Sequence, residues 1–284
     1  MTDASVPDDS VTDATFASRY RAVVADRGRL CAGIDPHAAL LEQWGLPVSV
    51  DGLRAFADAA VTALGPTAAV IKPQVAFFEV FGSAGFAVLE DVIARGREAG
   101  ALVLADAKRG DIGSTMAAYT GAWLDDASPL CSDAVTVSPY LGFGSLDPAV
   151  AKAKETGRGV FTLARTSNPE GGALQTADTG GRTVAQSIVD AAAEVNGDGS
   201  GTVGVVVGAT REHGLDLSAL AGPVLSPGLG AQGATAADLA RIFDGSDLSW
   251  LLPAASRSIL KAGPDVTALV AAVEATRDEI EAAL

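Results

Sequence analysis

The sequence predicts a (β/α)8 TIM barrel preceded by one extra helix, and two observations carry that expectation. Eight short apolar runs recur along 284 residues, each followed by a Gly, Pro or Asp turn and then by a segment of helical periodicity. The runs are apolar throughout rather than alternating, as in parallel strands covered on both faces. Periodicity alone does not show closure, so a doubly wound open sheet is the competing arrangement. One barrel domain over 1–284 is expected, with 1–12 as a flexible acidic terminus.

In chain order, the extra helix is expected over about 13–26. The strand candidates are RLCAGID (29–35), AAVIKPQ (68–74), ALVLADA (101–107), AVTVSP (134–139), GVFTLAR (159–165), VGVVVGA (203–209), PVLSP (223–227) and SWLLPAA (249–255). Amphipathic segments at 51–64, 85–100, 182–195 and 264–284 fall between or after them, and the last opens with Pro264 and Asp265, a good helix start.

Charge and composition narrow the function. The chain is 48% hydrophobic and only 5% aromatic, enough for a large aliphatic core. Its net charge of −15, from 24 Asp and 11 Glu against 15 Arg and 5 Lys, repels phosphate backbones and argues against nucleic-acid binding. Excess Asp with scarce Lys also fits adaptation to high salt, though an ordinary acidic protein explains it equally well. The acidic start, MTDASVPDDSVTDATF, has neither the basic nor the apolar region of a signal peptide. No apolar run reaches 18 residues, so a soluble cytoplasmic protein is expected. Cys31 and Cys131 read as reduced core residues, and His37 and His213 form no metal-ligand pattern. His37, Trp44 and Trp250 read as packing residues.

In a barrel the chemistry collects where strands end and βα loops begin. The first strand ends in Asp35, the second carries Lys72, and the third runs into ADAKRGDIGST (105–115). Two of five lysines, Lys72 and Lys108, thus sit in apolar strand stretches, where an unpaired charge is costly, so acidic partners or a ligand must accompany them. Residues two apart on a strand share a face, so Asp106 and Lys108 can stand side by side at the barrel mouth. Asp111 lies past the strand end and can return to the same pocket or reach a neighbouring subunit. An Asp106–Lys108 ion pair with Asp111 capping a helix over 113–124 explains the same stretch without any catalysis.

SPGLGAQG (226–233) has the glycines of a phosphate cradle, though turn geometry alone would also explain them. Arg257 at the next strand end is placed to clamp a phosphate dianion, and the pair favours the phosphate reading. The long stretch 166–181 reads as a lid, with Ser167 and Asn168 offering hydrogen bonds to a polar ring.

The D-x-K-x-x-D-I-x-x-T pattern of DAKRGDIGST (106–115) resembles the orotidine 5′-phosphate decarboxylases. GIDP (33–36), IKPQVAFFE (71–79), TSNPEGG (166–172), SPGLGAQG (226–233) and SRS (256–258) support the resemblance in the same order. It runs from about residue 15 to the end and is closest to the longer bacterial and archaeal subgroup with the TSNP stretch. D-x-K-x-x-D alone is shared with related sugar-phosphate decarboxylases and aldolases. The resemblance implies conversion of orotidine 5′-monophosphate to UMP and CO2, the last step of de novo pyrimidine synthesis, with no metal or organic cofactor. It assigns Asp35 and Lys72 to the ribose hydroxyls, Lys72 also joining the catalytic cluster of Asp106, Lys108 and Asp111. Lys108 would protonate C6 as CO2 leaves. Ser167 would read the pyrimidine edge, and Gln232 and Arg257 would hold the phosphate. Ser256 stands where the family often has glycine, and its backbone N–H would still serve the phosphate. The resemblance also implies a homodimer, in which Asp111, Ile112 and Thr115 enter the neighbour's site.

Two other functions compete. Metal-dependent sugar-phosphate decarboxylases or formaldehyde-fixing synthases share the motif but need a second-strand carboxylate for Mg²⁺, where this chain has Lys72. A non-catalytic phosphate-binding sensor is the other, and it would not need a buried charged triad.

Overall fold

The computed structural model describes residues 14–209, 212–230 and 233–284. The expected flexible terminus at 1–12 and the phosphate ligand expected at Gln232 lie outside the described residues. Eight strands close into a barrel in sequence order: β1 (Cys31–Ile34), β2 (Val70–Pro73), β3 (Leu102–Arg109), β4 (Ala134–Val137), β5 (Gly159–Arg165), β6 (Val203–Val207), β7 (Val224–Pro227) and β8 (Leu251–Ala255). All pairs are parallel, and closure is made by β1 against β8 with Cys31 opposite Ala254. The (β/α)8 expectation therefore holds and the open sheet does not.

Strand alternation sorts the core into two layers. Val70, Leu104, Phe161, Leu225 and Leu252 pack inside the barrel, and Phe16 and Tyr20 of the helix Phe16–Arg27 close its lower end. Residues one position on, such as Ile71, Val103, Val135 and Val205, face outward into the shell shared with the surrounding helices. Three of the barrel helices start on side-chain caps of one kind: Ser49 accepts from Gly52 N–H, Thr183 from Gln186 N–H, and Asp265 from Ala268 N–H. Thr235 and Asp238 form a reciprocal capping box.

The expected long helices are present as Val50–Leu64, Gly82–Glu98, Val184–Asn196 and Val266–Ala283. Shorter ones, Ala38–Gln43, Asp147–Glu155 and Ala236–Ile242, span two turns or so and left too little periodicity to read. The packing residues behave as expected: Trp44 tilts against Phe56 at 4.2 Å and donates its indole N–H to Leu260 O, and Trp250 stacks on Tyr20 at 5.6 Å. Cys31 and Cys131 are buried free thiols. Among the described residues, no helix is long and apolar enough to cross a membrane.

Candidate active site

The upper ends of the strands carry the polar residues. Lys72 and Asp106 are inward-facing and each only 7% exposed. Asp106 is the hub. Its Oδ2 accepts from Lys72 Nζ at 3.0 Å and from Gln74 Nε2 at 2.7 Å, and its Oδ1 accepts from Lys108 Nζ at 2.6 Å and from Thr136 Oγ1 at 2.9 Å. Burial pushes the Asp106 carboxyl up, but the two lysine ammoniums outweigh it and hold it well below the ordinary carboxylate range. Burial likewise opposes the Lys72 charge, and the Asp106 and Asp35 carboxylates outweigh that, keeping the ammonium above ordinary lysine. The array is therefore a locked anion between two cations, one buried and one, Lys108, half open to the cavity.

A cavity of about 340 Å³ opens above this layer. Asp35, Lys72, Asp106 and Lys108 line one part of it; Ser167, Ser256 and Arg257 line it as well, with Gly228 of the glycine loop. A buried Asp35 Oδ1 and a buried Ser256 Oγ accept or donate no hydrogen bond, so both are available to a polar ligand. Two glycines let the walls approach. A Cβ on Gly33 would lie 2.7 Å from Ser256 Cβ, and one on Gly208 would lie 2.8 Å from Ser167 N. The stretch after β5 is more structured than a bare lid: it contains a turn at Pro169–Gly171 and a helical turn at Gly172–Gln175. Gln175 Oε1 accepts from Arg165 and from the Thr166 N–H, and its Nε2 donates to Thr166 Oγ1, which fixes the base of the Ser167 segment.

Asp111, Ile112 and Thr115 are not part of this cavity's lining. Asp111 accepts the Ile112 N–H at 2.8 Å, and Ile112, at 61% exposure, is the N-cap of the helix Gly113–Leu124 without a side-chain cap bond. The Asp106–Lys108 ion pair thus exists, but Asp111 does not cap the helix through its first-turn amides. Sequence reasoning missed Gln74 and Thr136. The same i, i+2 rule that joined Asp106 to Lys108 joins Lys72 to Gln74, and Thr136 is an inward polar residue in an otherwise apolar strand. Among the described residues, no group of three or more His, Cys, Asp or Glu side chains is placed to hold a metal ion.

Residues 28–272 match the family model described as Orotidine 5′-phosphate decarboxylase / HUMPS family. The chain belongs to this family. Orotidine 5′-phosphate decarboxylase of Salinispora arenicola is 58% identical over 274 residues, covering 95% of this chain and 98% of its own. That of Corynebacterium glutamicum strain R is 54% identical over 269 residues, covering 92% and 96%. The crystal structure of a candidate orotidine 5′-phosphate decarboxylase from Streptomyces avermitilis superposes with a TM-score of 0.94 at 51% identity, over 98% of this chain and 99% of that one. On β2 the inward charged side chain is Lys72, bonded to Asp106, a cation that would repel a divalent metal ion at that place.

Proposed function

We propose that this chain decarboxylates orotidine 5′-monophosphate to UMP and CO2, the last step of de novo pyrimidine synthesis, as a cytoplasmic homodimer using neither metal nor organic cofactor. The observation that carries this reading is the ammonium of Lys108, held 2.6 Å from the buried Asp106 carboxylate at the edge of a cavity that Arg257 also lines.

Breaking the C6–carboxylate bond leaves an electron pair in the ring plane, out of reach of the ring's π system. Stabilisation must come from a cation that is also a proton donor. Lys108 is both: its proton passes to C6 as CO2 departs, and solvent then restores it. Asp106 pairs with Lys108 and aims it, with Lys72 holding Asp106 in turn. Repulsion between Asp106 and the substrate carboxylate is too weak to drive the step, at roughly 4 kcal/mol for about 4 Å and an effective dielectric of about 20, against up to about 23 kcal/mol in large enzymatic accelerations. Most of the gain must come from Lys108 in the transition state and from binding energy of the remote phosphate. In this reading Asp35 and Lys72 take the ribose hydroxyls, Ser167 the pyrimidine edge, and Ser256, Arg257 and Gln232 the phosphate.

The dimer is supported by what surrounds the mouth. The large apolar side chains Val80, Ile112, Tyr140 and Leu141 are exposed in the segments that follow the neighbouring strands β2, β3 and β4, at the barrel end that also carries Asp111 and Thr115. Asp111, Ile112 and Thr115 would reach from this end into the partner's cavity.

Incubation with orotidine 5′-monophosphate, followed by absorbance with and without chelator, tests the reaction. Conversion unaffected by chelator is expected. Loss on chelation would restore a metal-dependent family chemistry, and UMP binding without turnover would favour a sensor. For the shared site, mixed Lys108→Ala and Asp111→Ala homodimers should regain part of the activity after subunit exchange, through one intact site per hybrid. No recovery despite demonstrated exchange would place Asp111 in its own subunit's site.

A further inference from the structure

Thr136 sits inside β4 at 1% exposure, and its hydroxyl touches two different parts of the catalytic array. It accepts the backbone N–H of Lys108 at 2.9 Å and donates to Asp106 Oδ1 at 2.9 Å. The direction of both bonds is determined. An amide N–H can only donate, so Oγ1 must accept there, and the single hydroxyl proton is committed to the carboxylate.

The backbone explains why such a bridge is needed. Between β3 and β4 the register runs from Ala105 opposite Val135 to Arg109 opposite Val137. Four residues of β3 therefore cover two of β4, and the extra length is absorbed as a bulge around Asp106, Ala107 and Lys108. Lys108 takes φ of 47°, a left-handed conformation shared among described non-glycine residues only with Ala221. For a non-glycine residue that conformation is strained, and it persists only where the surrounding structure imposes it. The bulge turns the Lys108 amide away from the regular ladder, and the Thr136 hydroxyl receives it. A β-branched side chain has few rotamers to choose from, so the bridge is stiff.

We propose that Thr136 is a positioning residue for decarboxylation: its hydroxyl pins the strained Lys108 backbone and the Asp106 carboxylate as one unit, so that the Lys108 ammonium meets C6 at a fixed place. The inference rests on the reading that Lys108 delivers the proton. Thr136 is not part of the cavity's lining. It acts by removing a freedom that Lys108 would otherwise have, half-exposed and on a four-carbon stem.

The test compares wild type with Thr136→Val, which keeps the shape and deletes the hydroxyl, and Thr136→Ser, which keeps the hydroxyl. Should the valine protein fail to fold, Thr136→Ala takes its place with the same expectations. Steady-state decarboxylation, calorimetric UMP affinity and the thermal midpoint are read for each. Valine should lower kcat by about 10- to 100-fold with KM and UMP affinity within about threefold of wild type, and serine should recover most of the loss. A valine kcat within about twofold of wild type overturns the proposal, as does a serine variant no better than valine. So does a loss of kcat that only follows a parallel loss of UMP affinity and thermal midpoint. If wild type itself fails to turn over orotidine 5′-monophosphate, the proposed function falls; if it does and valine matches it, only the role of Thr136 falls.

Discussion

The two ends of the barrel are built from the same strands and solve opposite problems. At the lower end Phe16, Tyr20, Phe161 and Trp250 fill the interior, with Phe16 edge-on to Phe161 at 6.0 Å and Tyr20 stacked on Trp250. At the upper end, two positions further along β2, β3 and β4, the inward residues are Lys72, Asp106 and Thr136 beneath an open cavity. The lower layer gains from removing apolar surface from water. The upper layer gives up that gain and holds a buried carboxylate and ammonium that are tolerable only because each bonds the other. Stability is thus concentrated below and catalytic electrostatics above, and substitutions should separate the two.

The largest expected effect is at the mouth. Lys108→Ala should cut kcat on the order of 10⁴-fold or more, combining the loss of a general acid with that of a charge aimed at the transition state. UMP binding should persist. The thermal midpoint should move little, because the Lys108 side chain is 46% exposed and Asp106 retains three other donors. Near-native turnover would remove Lys108 from the chemistry.

The converse variant is Phe161→Ala. Phe161 is 1% exposed, and Gly204 leaves only the space its ring occupies, a Cβ there meeting the ring at 2.7 Å. Truncation should cost about 3–5 kcal/mol in urea unfolding while kcat per folded molecule stays within about threefold. A loss of kcat comparable to that of Lys108→Ala would mean that the two layers are not separable.

A smaller effect distinguishes the ends by pH. The Asp106 pKa is depressed on folding, so its contribution is present above the ordinary carboxylate pKa of about 4 and is lost as pH falls through the lower folded value. The Lys72 pKa is raised, so its contribution is complete below the ordinary lysine pKa of about 10.4 and is lost as pH rises through the higher folded value. The stability gap between wild type and Asp106→Asn should hold steady from pH 7 to 5 and narrow towards pH 3. The gap for Phe161→Ala should not change over the same range. A carboxylate gap as large at pH 3 as at pH 7 would show that Asp106 is not held down by its lysines.

This division also explains what the sequence made legible. Apolar runs and turn residues reveal strands, because a strand buried on both faces must be apolar throughout, and all eight were readable. Asp35, Lys72, Asp106 and Lys108 were readable because charge in such a run has no packing reason to be there. Thr136 and Gln74 escaped because neutral polar residues are common in strands, and nothing in their own strands marks them as partners of a carboxylate on β3. The short helices escaped because seven or so residues carry little period. Gln232 remains where sequence reasoning put it, on the resemblance alone.

The smallest expected signal comes from the boundary between the two ends, where Cys31 of β1 lies within the lower core and close enough to Lys72, Asp106 and Asp35 to feel their charges. Burial pushes its thiol up to about 12; Lys72 pulls it down, and Asp106 and Asp35 push it further up. Burial also raises Cys131. Thiolate is the reactive form, so at pH 8 neither cysteine should react with dithiobis(nitrobenzoate) in the native protein, while both should react at once in denaturant. Any slow native reaction reports transient opening of the fold around the reacting thiol. Phe161→Ala should speed Cys31 modification, because the ring it removes belongs to the same interior layer, and Lys108→Ala should leave it unchanged. Equal acceleration by both variants would mean that the charged layer also clamps the barrel shut, and that catalysis and stability share more of the interior than the two-ended arrangement allows.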